Sequence, residues 1–199
     1  MKIAVVDYGM GNLRSVFKAV ERAGGIPLIT NKQDEIAISD KIILPGVGHF
    51  SKGMENLRAL GLVELLNHEV LSNKKPVLGI CLGMQLMMEH SEEGNAEGLS
   101  WFEGNVTRFK VTDKVRFKVP HMGWNTLNYQ KNGIDTDHNF EYYFVHSYHV
   151  EVKNPEDILT TTIYDYEFVS SIEKENIVGK NSGHSQKKDR QNQRSLNSW

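Results

Sequence analysis

The 199-residue chain sets 23 Lys and Arg against 25 Asp and Glu, a formal charge of -2 that gives no basic footprint for nucleic acid. Its 39% hydrophobic and 24% charged residues fit one large globular domain, and its apolar runs are only strand-length, which excludes a membrane-spanning helix. A single cysteine excludes an internal disulfide and suits a reducing cytoplasm, and Met1 leading into a short apolar strand cut off by Asp7 gives no secretory signal.

Ile3 to Val6 reads as a buried strand, and Asn12 to Ala23 as a helix, with Leu13, Val16, Phe17 and Val20 at helical spacing and Gly24-Gly25 as its stop. Strands follow at Pro27 to Thr30 and Lys41 to Leu44, then a helix from about Met54 to Leu71, a strand at Pro76 to Ile80 and a helix from Leu82 to His90. This alternation predicts an α/β fold: a doubly wound, mostly parallel sheet flanked by helices, with its site at the carboxyl ends of the strands. From Gly104 the texture turns β-rich, at Asn105 to Val111, Tyr142 to Val152 and Ile158 to Tyr164, which predicts an antiparallel second half of the same domain, residues 1–179. Residues 180–199 are almost wholly polar, with Leu196 and Trp199 their only large apolar side chains, too little to offset the entropy of ordering them. A disordered or poorly packed tail is expected there.

The chemistry gathers at Pro76-Val-Leu-Gly-Ile-Cys-Leu-Gly-Met-Gln85. Small residues on both sides of a nucleophile let a strand bend sharply into a helix, and Gly79 and Gly83 frame Cys81 in that way. The positive end of the following helix is expected to lower the thiol pKa, and the Leu82 N–H can point at an oxyanion. A lone cysteine ending a buried strand is more often a small core residue; the glycine frame turns that preference round. Gly46-Val47-Gly48 after another strand offers further free N–H groups, although such a turn alone is often only a tight connection. His49, His68 and His138 have no metal-ligand spacing and read as surface or packing residues, so no metal and no cofactor are expected.

Gly79-Ile-Cys-Leu-Gly-Met-Gln85 resembles the nucleophile motif of class I, or triad, glutamine amidotransferases. Asp7-Tyr-Gly-Met-Gly-Asn-Leu13, Pro45-Gly-Val-Gly48, Gly98-Leu-Ser-Trp101, Val119-Pro-His-Met-Gly-Trp-Asn125 and Tyr143-Phe-Val-His-Ser-Tyr-His149 narrow the resemblance to the glutaminase subunits of imidazole glycerol phosphate synthase. The resemblance covers about residues 1–179. It implies Cys81 as nucleophile on the glutamine amide, Gly46, Val47, Gly48 and Leu82 around the oxyanion, and Gln85, Ser147 and Tyr148 on the substrate. It also implies a heterodimer with a (β/α)8-barrel cyclase that receives the ammonia, met by Asn12, His121, Met122 and Trp124, with neither nucleic acid nor membrane as a partner.

In the family a His-Pro-Glu segment supplies the base and its orienter, but Lys180-Asn-Ser-Gly-His-Ser-Gln-Lys187 stands in that place here. Two readings stay open: a frameshift near codon 179, or His184 as a displaced base without an acidic orienter. The function expected is a glutaminase subunit for histidine biosynthesis. Its alternatives are a paralogue feeding surface-sugar amidation and a catalytically impaired subunit that only binds its partner. A stand-alone thiol hydrolase or redox sensor leaves Gln85 and the partner-facing motifs unexplained.

Overall fold

Alternation along the first strands decides which helices lie on which face of the sheet. The computed structural model describes residues 1–131, 140–181 and 184–187, with Phe140 and residues 184–187 described by their backbone. Its first half runs β1 (Lys2–Val6), α1 (Leu13–Arg22), β2 (Ile26–Thr30), α2 (Gln33–Ala37), β3 (Lys41–Gly46), α3 (Phe50–Ala59), α4 (Leu62–Asn67) and β4 (Val77–Cys81). Ile3 and Ile43 pack against Val20 of α1. Their neighbours Ala4, Val6, Ile42 and Leu44 pack instead with Phe50, Met54, Leu57 and Leu62. A strand shows successive side chains to opposite faces, so α1 covers one side and α3 and α4 the other, the doubly wound arrangement expected.

The chain continues through α5 (Leu82–Gln85), β5 (Met88–Ser91), β6 (Ala96–Glu97), β7 (Phe102–Arg108), β8 (His121–Asn125), β9 (Asn128–Tyr129), β10 (Phe140–His146), β11 (Tyr148–Val152), β12 (Ile158–Ile163), β13 (Glu167–Lys174), β14 (Ile177–Lys180) and β15 (His184–Lys187). The main sheet has the order β2-β1-β3-β4-β14-β13-β11-β7-β5-β6, with β12 and β9 attached through β13. It is parallel from β2 to β14, and antiparallel at β14–β13, β13–β11 and β11–β7. A second sheet runs β15-β10-β8.

Several expectations change. The helix expected from Met54 to Leu71 begins at Phe50 and breaks at Gly61, whose φ of 63° is the left-handed turn that glycine adopts without strain. The helix expected from Leu82 to His90 shrinks to the single turn α5, because Leu86, Met87 and Met88 are buried on every side and carry no period that separates helix from strand. Tyr142 to Val152 divides at Ser147, with β10 in the small sheet and β11 in the main one. Strands β13 and β14 were not legible: β13 buries Ser170 and Ser171, whose hydroxyls bond Thr160, so polar residues hide a core strand. Lys180, assigned to the tail, closes β14 beside β4 with Asn181 directly after it, and the backbone of residues 184–187 forms β15 on β10. Among the described residues no helix is long and apolar enough to cross a membrane.

At the end of the sheet away from the strands' carboxyl ends, Lys75 Nζ lies 2.7 Å from the Glu69 carboxylate, with both side chains nearly buried. Burial would raise the Glu69 pKa, but the bonds from Lys75 and Asn73 outweigh it and hold the carboxyl below its ordinary value. The same ammonium donates to the carbonyls of Ile36 and Ala37, tying α2 to the turn before β4. Lys75→Met leaves a buried carboxylate without its cation, and a loss of about 3 kcal/mol is expected in urea unfolding. The contribution of Glu69 is present above its unfolded pKa and disappears as pH falls through the lowered folded value, so the parent's advantage over Lys75→Met should shrink on acidification.

Candidate active site

Cys81 ends β4 and begins α5 with φ 53° and ψ -114°, a conformation that costs a non-glycine residue energy and persists where the surroundings enforce it. The enforcing contacts are close. A Cβ on Gly83 would overlap the Leu44 carbonyl, and one on Gly79 would meet Met87 Cε at 2.6 Å and Met84 N at 2.8 Å. The glycine frame thus lets α5 lie directly on β3 and β4, as expected of a nucleophile elbow. The thiol, however, is pushed up rather than down, chiefly by burial, with Lys180 acting in the opposite sense. A one-turn helix adds too few peptide dipoles to outweigh that desolvation.

Gly46 closes β3 in register with Cys81, so the Gly46-Val47-Gly48 turn lies beside the elbow. Leu82, the first residue of α5, is buried, whereas Val47 is exposed. Tyr8, which the sequence reading passed over, fixes this corner. Its buried hydroxyl donates to the Pro45 carbonyl at 2.7 Å, and a Cβ on Gly46 would strike the Tyr8 hydroxyl oxygen. Burial, and then the charge of Cys81, raises the phenol well above its ordinary pKa, which keeps it a donor. The signal was available in Asp7-Tyr-Gly, an aromatic directly after a buried strand.

Gln85, one turn past Cys81, is buried and donates from Nε2 to the Tyr148 carbonyl at 3.1 Å. Ser147 is the bend between β10 and β11, and its carbonyl accepts from Phe109 N at 3.0 Å. Beside the thiol stands Asn181, whose carbonyl accepts from Cys81 Sγ at 3.4 Å. His146 Nδ1 donates to the Tyr148 carbonyl at 2.8 Å, which leaves Nε2, 3.3 Å from the Asn181 amide Nδ2, as the ring's acceptor. Burial pushes His146 down to about 3, so its ring is neutral. His184 sits in β15 opposite Tyr143, and its side chain lies outside the described residues, as does His138. Among the described residues no group of His, Cys, Asp or Glu could hold a metal ion.

The residues expected to face a partner divide. Met122 and Trp124 are exposed on β8, and across the register Val145 and Tyr143 of β10 extend the same face, with the Trp124 and Tyr143 rings 5.3 Å apart. Asn12 is exposed and caps α1, its Oδ1 accepting from Ser15 N at 3.2 Å. His121 is a correction: alternation turns it inward, 2% exposed, stacked 4.0 Å from Tyr164 and 5.1 Å from Phe144. A side chain enclosed by its own aromatic core does not meet a partner.

Residues 4–180 match the family described as glutamine amidotransferase class-I. The chain is 45% identical over 180 residues to imidazole glycerol phosphate synthase subunit HisH 2 of Methanococcus maripaludis, covering 89% of this chain and 88% of that protein. It is 45% identical over 181 residues to subunit HisH 1 of Campylobacter jejuni, covering 88% of each. It is 41% identical over 182 residues to subunit HisH 2 of Pseudomonas aeruginosa, covering 89% and 88%. Among solved structures, a glutamine amidotransferase crystal structure superposes with a TM-score of 0.71 at 15% identity over 90% of this chain and 89% of that one, a likeness of fold. PurLQS from Thermotoga maritima gives 0.63 at 18% identity, over 92% and 86%.

Proposed function

Since the chain belongs to the class-I glutamine amidotransferase family, we propose that it hydrolyses glutamine as the glutaminase subunit of an imidazole glycerol phosphate synthase in histidine biosynthesis. The observation that carries the reading is the strained elbow at Cys81, set in register with Gly46. Cys81, as thiolate, adds to the carboxamide carbon of glutamine, and the oxygen that becomes negative is received by the Leu82 N–H and by N–H groups of the Gly46–Gly48 turn. The tetrahedral adduct collapses with protonation of the nitrogen, which leaves as ammonia, and water then cleaves the γ-glutamyl thioester to glutamate and the free thiol. Tyr8 holds the Pro45 end of the turn through its bond to the Pro45 carbonyl. Gln85, Ser147 and Tyr148 hold the amino-acid end of the substrate in this reading, which the bond of Gln85 Nε2 to the Tyr148 carbonyl supports. His184 is the base in this scheme, reached through β15.

The ammonia passes to a (β/α)8-barrel cyclase bound as a heterodimer. The outward face of Met122, Trp124, Tyr143 and Val145, adjacent apolar side chains paired across β8 and β10, supports that contact, with Asn12 beside the first strand as a further point. Trp124→Ala is expected to weaken the complex at least tenfold, about 1.4 kcal/mol or more, as read by titration of labelled cyclase. The glutaminase activity is tested by glutamate release from glutamine with and without the cyclase and its nucleotide; no release in either case overturns it.

A second reading, a subunit that binds the cyclase without turnover, is favoured by one observation: a backbone carbonyl, that of Asn181, accepts from Cys81. Complex formation with no glutamate release would identify it. An ammonia acceptor in surface-sugar biosynthesis is separated from the histidine pathway by assaying the chain with each partner.

A further inference from the structure

Asn181 is 2% exposed and lies where three strands meet. Its N–H donates to the Ser170 carbonyl of β13 at 2.9 Å, its carbonyl accepts from Cys81 Sγ at 3.4 Å, and its Nδ2 donates to His146 Nε2 at 3.3 Å, at the end of β10. Its Oδ1 is buried without a partner. An amide buried with one oxygen unpaired is costly, and what fixes it here is the contact with His146 and the bond to Ser170.

We infer that Asn181 is a positioning residue for the nucleophile: anchored on His146, it aims its carbonyl at Cys81 and holds the resting sulfur as the protonated thiol. The chemistry is direct. A thiol can donate to a carbonyl, whereas a thiolate has no hydrogen to give and faces the negative end of the C=O dipole. The inference rests on Cys81 as nucleophile and names what must be displaced before it reacts. Three other groups bear on the sulfur: the Lys180 ammonium of β14, which favours the thiolate, the neutral Tyr8 phenol after β1, and the neutral His146 ring, which acts through Asn181. The anchor comes from β10, the strand that also carries Tyr143 and Val145 on the outward face.

The chain has one cysteine, so alkylation by iodoacetamide followed by intact mass reads Cys81 alone across pH. The parent is expected to react with a midpoint above that of a free thiol. Asn181→Ala should lower the midpoint by about one pH unit, which is about tenfold faster labelling near neutral pH. His146→Leu removes the acceptor and cuts the same anchor from the other side, should give the same shift, and should add little in the double variant. General loosening would relieve burial and lower the midpoint as well, so a shift that comes with a matching loss of stability in urea, or that adds fully in the double variant, overturns the inference. Midpoints that superimpose for the parent and both variants overturn the inference; if Asn181→Ala does not fold, His146→Leu decides it. Glutamine turnover plays no part in this reading, so an inactive parent would count against the catalytic role and not against the placement of the thiol.

Discussion

Alanine at Cys81 is expected to bring glutamate release in the complex with the cyclase down to background, a loss on the order of 10⁴-fold or more. No other thiol in the chain can take over, since Cys81 is its one cysteine. The loss should be chemical and not structural. Alanine removes only the sulfur, keeps the same Cβ on the same φ of 53°, and leaves Gly79 and Gly83 to hold α5 against β3. Stability in urea should therefore stay within about 1 kcal/mol of the parent, and affinity for the cyclase should be unchanged, because Met122 and Trp124 lie on the small sheet. Turnover within tenfold of the parent, or an equal loss of folding, would sink the assignment of Cys81 as nucleophile.

What the sequence disclosed and what it hid have physical causes. The β-α alternation, the elbow and the Gly46 turn were legible because each depends on local signals: period two against period 3.6, and glycines where backbones touch. Elements whose identity is settled by distant partners were not. Leu82 to Met88 is apolar at nearly every position, and only the pairing of β5 with β7 ends its helix after one turn. β13 carries serines because Thr160 across the sheet bonds them, a pairing that composition cannot show. His121 was placed with its exposed neighbours, and one residue of strand register separates it from them. The thiol pKa was misjudged for a related reason: the length of α5 and the burial of Cys81 are both tertiary facts. Asn181 shows the limit most clearly. In the sequence it is one polar residue in a polar tail, and only the parallel pairing of β14 with β4 brings its carbonyl to the sulfur.

Gly83→Ala sets two effects against each other in the same turn. Gly83 has no positive φ, so alanine is conformationally acceptable and by helix propensity alone would gain up to about 1 kcal/mol. The new Cβ, however, would lie on the Leu44 carbonyl oxygen and 2.7 Å from its carbon. Leu44 cannot move aside, because it is in register with Gly79 between two parallel neighbours at the middle of the sheet. The clash is backbone against Cβ with no flexible side chain to yield, so either α5 lifts or β3 shifts. Overpacking of this kind commonly costs about 1–3 kcal/mol, and a direct backbone overlap should exceed that range, well beyond the propensity gain. A loss of at least about 3 kcal/mol in urea unfolding is therefore expected. In whatever folded protein remains, α5 carries Leu82 and Gln85 away from Gly46 and Tyr148, and glutamine turnover should fall even where the cyclase still binds. Stability within about 1 kcal/mol of the parent together with unchanged turnover would show that the elbow tolerates a wider seat than its glycines imply.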